Sequence, residues 1–215
     1  MVRGPKTTFS PDAVEYLAQH SRQDDVLAAV EAETAERPDA MMQISPDQGA
    51  LMTLLAKLVN AHNALEVGTF TGYSAICIAR GLAEDGALTC LELDPDLAEI
   101  ARKNLRAAGL DDRVAIKVGP ARESLEALPE EPVYDFVFLD ADKGSYPDYY
   151  DIILPRMQTG GLLLIDNVLL GGRVLDPQDE RSRIVVALNE RIAKDDRVDQ
   201  AMVLVADGLT FVRKR

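Results

Sequence analysis

The sequence predicts an α/β fold: a doubly wound, mostly parallel sheet of seven strands with a C-terminal antiparallel strand, preceded by a helical extension. Three observations carry this expectation. Short apolar runs alternate with helical patterns from about residue 64 to residue 213, and right-handed crossovers between parallel strands then place helices on both faces of one sheet. The stretch 64–74, ALEVGTFTGYS, gives a buried strand, a glycine loop and a helix start in immediate succession, which is how a doubly wound sheet opens its ligand crevice. Near the C-terminus, Asp207-Gly208 separates two apolar runs, a tight-turn signal that pairs the last strand antiparallel with the one before it.

Residues 1–10 are polar and expected to be loose. Ser10-Pro11-Asp12 is a helix-start signal, followed by Val14, Tyr16 and Leu17. A second helix over 24–36 carries Val26, Leu27 and Val30 at helical spacing. These two helices are too short to form a domain, so they are expected to lie on the sheet or on a partner subunit. The chain is therefore read as one domain, with residues 1–40 as the helical extension and 41–215 as the Rossmann-like core. Ser45-Pro46-Asp47 starts a helix to about residue 60 with Leu51, Leu54, Leu55 and Leu58 on one face. Strands are then expected over 64–67, 87–93, 114–118, 134–139, 162–165, 200–205 and 209–213. The helices between them fall over 73–82, 96–108 (capped by Gly109), a short stretch after Ala121, 147–157 and 181–193. Gly160-Gly161 is expected as a turn before the fifth strand.

Composition bounds the function. The 215 residues carry a net charge of −13, with 47% hydrophobic and 27% charged residues. That balance argues against nucleic acid as a partner, since phosphate contacts need clustered Lys and Arg. Cys77 and Cys90 fall in predicted buried elements and suit a reducing compartment. No stretch approaches the ~20 apolar residues of a membrane span, and Met1–Lys6 lacks a signal-peptide core. No membrane association is expected, and a cytoplasmic protein is.

The polar residues at strand ends carry the chemistry. Gly68 and Gly72 bracket a tight loop that does not fit G-x-G-x-x-G. A carboxylate-bearing cofactor such as S-adenosylmethionine (SAM) therefore fits better than a dinucleotide. Glu66 lies inside an apolar strand, where an unpaired carboxylate is costly; a cationic ligand group such as the methionine ammonium would satisfy it, or else a structural ion pair. Ser74, at a helix start, suits the methionine carboxylate and would look the same as a simple cap. Glu92, roughly 20 residues after the glycine loop, suits a ribose diol, or merely faces solvent. Asp140, Asp166 and Asn167 offer three oxygens on two neighbouring strand ends, suited to a hard divalent cation such as Mg²⁺, Ca²⁺ or Mn²⁺. Lys143, about one helical turn beyond Asp140, is a candidate general base for a phenol, or an ion-pair partner of Asp140 or Asp142. His20 and His62 lie away from the strand ends and receive no catalytic role.

Taken together, these residues resemble the cation-dependent O-methyltransferases of the catechol and caffeoyl-CoA type. The motifs that carry the resemblance are Met42-Gln-Ile-Ser, Glu66-Val-Gly-Thr-Phe-Thr-Gly-Tyr-Ser74, Gly119-Pro-Ala121, Phe138-Leu-Asp-Ala-Asp-Lys143, Ile165-Asp-Asn167 and Gly208-Leu-Thr. The resemblance implies a class I methyltransferase fold, Mg²⁺ as the foremost metal and a phenolic small-molecule acceptor. It implies SAM contacts from Ile44, Glu66, Gly68, Thr69, Ser74, Glu92, Ala121 and Asp142. Asp140, Asp166 and Asn167 would be the metal ligands, Lys143 would take the proton, and the protein would be a homodimer. The chain departs from the family in having no Trp after the Asp-Asn pair, where it carries Leu169-Leu170-Gly171-Gly172, so the acceptor wall differs. A nicotinamide-dependent oxidoreductase and a non-catalytic SAM-binding protein are the alternatives.

Overall fold

The computed structural model describes residues 10–215; the expectation for residues 1–9 lies outside the described residues. Strands β1 (Asn63–Val67), β2 (Ala87–Glu92), β3 (Val114–Val118), β4 (Tyr134–Leu139), β5 (Met157–Ile165), β6 (Val198–Val203) and β7 (Leu209–Lys214) form one sheet in the order 3-2-1-4-5-7-6. The first five are parallel; β7 runs antiparallel to both β5 and β6. The chain order reverses between β1 and β4, so a crevice opens beyond their carboxyl ends. The alternation of side chains divides the core into two layers. Ala64, Cys90, Phe136 and Phe138 pack on one face, while Leu65, Val67, Val137 and Leu139 pack on the other.

The N-terminal helices are α1 (Pro11–His20) and α2 (Asp25–Ala35), capped by Ser10 and Asp24. α2 buries Leu27, Val30 and Thr34, and the Thr34 hydroxyl donates to Thr71 Oγ1 at 3.0 Å, tying this helix to the glycine loop. α1 buries nothing and leaves Val14, Tyr16 and Leu17 exposed. The helix α3 (Pro46–Leu58) corrects the sequence expectation for its facing in part, since of the leucine stripe only Leu51 and Leu55 pack against the core. Its buried positions are Gln48, Gly49, Met52 and Ala56, whereas Leu54 and Leu58 are 54% and 71% exposed. Small residues decide this. Gly49 lets α3 approach α4 (Tyr73–Ala79) so closely that a Cβ there would lie 2.8 Å from Cys77 Sγ.

The remaining helices are α5 (Pro95–Ala107), α6 (Ala121–Glu126), α7 (Tyr146–Arg156) and α8 (Glu180–Ile192). Two further boundaries differ from expectation. Gly160-Gly161 does not precede the fifth strand but lies within it, at a register irregularity between Tyr134 and Phe136. The closing hairpin is a five-residue loop over 204–208 rather than a two-residue turn, since Val203 pairs with Leu209. Among the described residues no helix is long and apolar enough to cross a membrane.

Candidate functional site

A cleft of about 1200 Å³ lies over the carboxyl ends of β1, β2, β4 and β5. Ile44, Gly68, Thr69, Ser74, Glu92, Ala121, Asp140, Asp142, Lys143, Asp166 and Asn167 all line it. Glu66 lies beneath its floor, in register with Cys90 on β2 and Phe138 on β4. The fold thus gathers every residue singled out in the sequence.

Gly68 ends β1 with φ +92, and a Cβ there would fall 2.1 Å from the Asp140 carbonyl oxygen. Only glycine permits β1 and β4 to end this close together. The loop that follows is held from β2. Glu92 Oε2 accepts from the Thr69 and Phe70 amides at 3.1 and 2.8 Å, and Oε1 accepts from the Asp94 amide at 2.9 Å. Glu92 is therefore neither solvent-facing nor unpaired; it fixes the loop and keeps lone pairs for a further donor.

Glu66 contrasts with it. It is fully buried, and neither carboxylate oxygen has a hydrogen-bond partner. Burial pushes its pKa up to about 7, opposed in part by Ser74, Cys90 and Thr69, whose side chains approach without reaching bonding geometry. Among the described residues no Lys or Arg pairs with it, so none there supplies the structural ion pair. The Thr69 hydroxyl close by is also unpartnered.

Across the switch point, Asp140 accepts from Lys143 Nζ at 2.6 Å. The lysine is only 6% exposed and lies 4.9 Å over the Tyr146 ring. Asp166, at the end of β5, is 2% exposed. Burial and then the charge of Asp140 push its pKa up to about 7, against the hydrogen bonds from Gln48 and Asn167. Asn167 adopts φ +53, a conformation Asn tolerates better than most residues, and its amide donates to Asp166 Oδ1 at 2.7 Å. Asp142 caps the turn Lys143–Ser145 and accepts from Tyr149 Oη at 2.6 Å.

Among the described residues no group of three His, Cys, Asp or Glu side chains is placed to hold a metal. The candidate set is instead two carboxylates and an amide. Its hard oxygens and the mutual repulsion of Asp140 and Asp166 suit a divalent cation, which would remove that repulsion. Sequence reasoning missed Gln48. Its Nε2 donates to Asp166 Oδ2 at 2.7 Å, its Oε1 is buried without a partner, and the side chain is wholly inaccessible. A signal existed: with the leucine stripe of α3 set aside, Gln48, Met52 and Ala56 recur every four residues. Cys77 and Cys90 are free and buried, and burial pushes both thiols up.

This strand order, with its last strand inserted antiparallel between β5 and β6 and its cleft over the β1/β4 switch point, is that of the class I methyltransferases. The chain belongs to the O-methyltransferase family, whose sequence profile it matches over residues 18–215. It is 33% identical to caffeoyl-CoA O-methyltransferase 2 of Populus trichocarpa, over 98% of this chain and 92% of that protein. Identity is also 33% to caffeoyl-CoA O-methyltransferase 3 of Nicotiana tabacum, over 98% and 94%. The O-methyltransferase TomG of Streptomyces achromogenes, solved with SAM, superposes with a TM-score of 0.85 at 32% identity, covering 94% of this chain and 96% of that one. The Bacillus cereus O-methyltransferase, solved with S-adenosylhomocysteine (SAH), gives 0.85 and 32% over 95% and 97%. The chain is thus a SAM-dependent O-methyltransferase. That disposes of the nicotinamide alternative.

Proposed function

We propose that this enzyme transfers the SAM methyl group to one hydroxyl of a vicinal-diol phenol, with a divalent cation, Mg²⁺ foremost, as its partner in the site. The observation that carries the proposal is the pairing of Asp140 with the buried Asp166 at adjacent strand ends, with Lys143 alongside. Two carboxylates so close in a partly desolvated corner call for a cation. Asp140, Asp166 and Asn167 would hold it, and Gln48 would fix Asp166 from behind. A divalent ion there supplies Lewis acidity to a coordinated hydroxyl. Lys143 Nζ, buried and steered by Asp140, would take the phenolic proton.

On the other side of the cleft, Glu66 would accept the ammonium of SAM, and Ser74 would bind its carboxylate. The amides and glycines at Gly68 and Thr69 would allow close approach. Glu92, already holding the loop, would take the ribose diol. Ile44, Ala121 and Asp142 would complete the cofactor's walls. Orientation of both reactants on one rim supplies much of the acceleration.

Labelled methyl transfer to catechols and hydroxycinnamoyl-CoA esters, with Mg²⁺ and with EDTA, tests this. Transfer should need the cation and collapse on Asp166→Ala; full activity in EDTA would sink the metal assignment. The exposed Leu54 and Leu58, together with Val14, Tyr16 and Leu17, support a homodimer. Leu54→Asp with Leu58→Asp should sediment as a monomer, and a monomeric native protein would refute that assignment.

A further inference from the structure

Three arginines in the cleft wall have no part in the chemistry above; Arg122 is paired with Glu126 and Asp148, which leaves Arg173 and Arg181. Arg173 donates Nε to the Leu170 carbonyl at 3.2 Å, and its Nη1 reaches Asp179 at only 3.4 Å, with both side chains about half exposed. Arg181, in the first turn of α8, lines the same cleft and forms no side-chain hydrogen bond or ion pair among the described residues. The amino end of α8 is not itself an anion site, because Asp179 already accepts from the Ser182 amide at 2.8 Å. Asp207, another acid of this wall, is engaged by the Gly171 amide at 2.6 Å.

The helix α8 packs against the turn Lys143–Ser145, and Tyr146, which follows that turn, donates Oη to the Leu139 and Asp166 carbonyls at 3.3 and 3.2 Å. Arg181, uncommitted in the first turn of that helix, thus lines the same cleft as the corner where the diol would sit. A neutral catechol leaves it unused. A carboxylate on the far side of the ring would meet it as a planar, two-pronged partner, with Arg173 adding a second positive charge. The phosphates of a CoA thioester would lie a long flexible arm away from the diol, whereas both arginines belong to the cleft wall itself.

We propose that the acceptor is an acidic vicinal diol, a dihydroxyphenyl carboxylic acid whose carboxylate is bound by Arg181 with Arg173 beside it. This rests on the diol acceptor proposed above. The test is equilibrium binding to the SAH-loaded, Mg²⁺-supplemented protein, run beside turnover with SAM. The ligands are 3,4-dihydroxybenzoate and caffeate, their methyl esters, and caffeoyl-CoA. Each acid should bind roughly tenfold tighter than its ester, and Arg181→Gln should bring the two within about twofold. Because Arg181 is exposed, this variant should fold, and Arg181→Lys should restore part of the preference. Acids that bind no tighter than their esters overturn the inference, as does a preference that survives Arg181→Gln. Arg181-dependent binding confined to caffeoyl-CoA overturns it too. Arg181-dependent binding of the acids without turnover under any cation sustains it and refutes the cation-dependent transfer instead.

Discussion

Replacing Glu66 with Gln should make the ligand-free protein more stable while weakening its hold on the cofactor. Glu66 is fully buried with both oxygens unpartnered, and its folded pKa is about 7 against an ordinary 4.5. Below pH 4.5 the group is protonated in both the folded and unfolded chains and costs nothing. Between 4.5 and 7 the unfolded chain releases the proton while the folded one keeps it, so stability falls as pH rises. Above 7 the folded protein carries the whole penalty, about 3 kcal/mol from the difference between those two values.

Glutamine keeps the shape and removes the charge. The melting temperature of Glu66→Gln minus that of the native protein should therefore grow by roughly 5–10 °C between pH 5 and pH 8. Scanning calorimetry on ligand-free protein across that range reads it directly. In parallel, SAH affinity measured by titration at pH 8 should drop roughly tenfold or more, because an ammonium loses its buried counter-charge. A melting difference that stays constant with pH would refute the raised pKa. Unchanged SAH affinity would refute the ammonium contact while leaving the first result standing.

Two further substitutions probe the site's supports. Gly68→Ala must place a Cβ against the Asp140 carbonyl at a φ of +92; it should cost about 3 kcal/mol or more in chemical denaturation and abolish SAH binding. Gln48→Leu keeps the volume but removes the donor on Asp166 Oδ2. It should cost about 1–3 kcal/mol and weaken Mn²⁺ binding, read by paramagnetic resonance on the folded variant; native Mn²⁺ affinity would show that Gln48 only fills space.

What could be read from the sequence follows from how local each determinant is. Strand ends, glycine positions and acids adjacent to them are fixed by short-range chemistry. Gly68 and Asp140 are legible because a glycine after an apolar run and an acid after another mark two neighbouring strand ends. Facing is not local. The leucines of α3 form a clean stripe, yet the helix centres its buried face on Gln48, Gly49, Met52 and Ala56 and keeps only Leu51 and Leu55 at the edge of the core, because Gly49 and Ala56 allow a closer approach to α4 than leucine would. Gln48 is masked for the same reason: its spacing with Met52 and Ala56 is helical, but the louder leucine stripe places it on the apparent outer face. The closing loop was misjudged because Asp207-Gly208 marks a turn without stating its length; Ala206 and Gly208 both adopt positive φ in a five-residue connection.

Three carboxylates show why acids on this rim differ in meaning. Glu92, Glu66 and Asp166 are all buried, so desolvation alone cannot distinguish them. Glu92 receives three backbone amides and needs no ligand to be tolerated. Asp166 receives one side-chain amide and one backbone amide but faces another carboxylate, so a cation is the partner that would relieve it. Glu66 receives nothing. A carboxylate left without partners in an interior this apolar is tolerated only if protonated or met by a cation. At pH 8 protonation is the minor option, so the ammonium contact proposed above would complete the core. Stability and cofactor affinity should then be coupled through Glu66: native protein should gain more in melting temperature from SAH at pH 8 than at pH 5, and Glu66→Gln should lose that pH dependence.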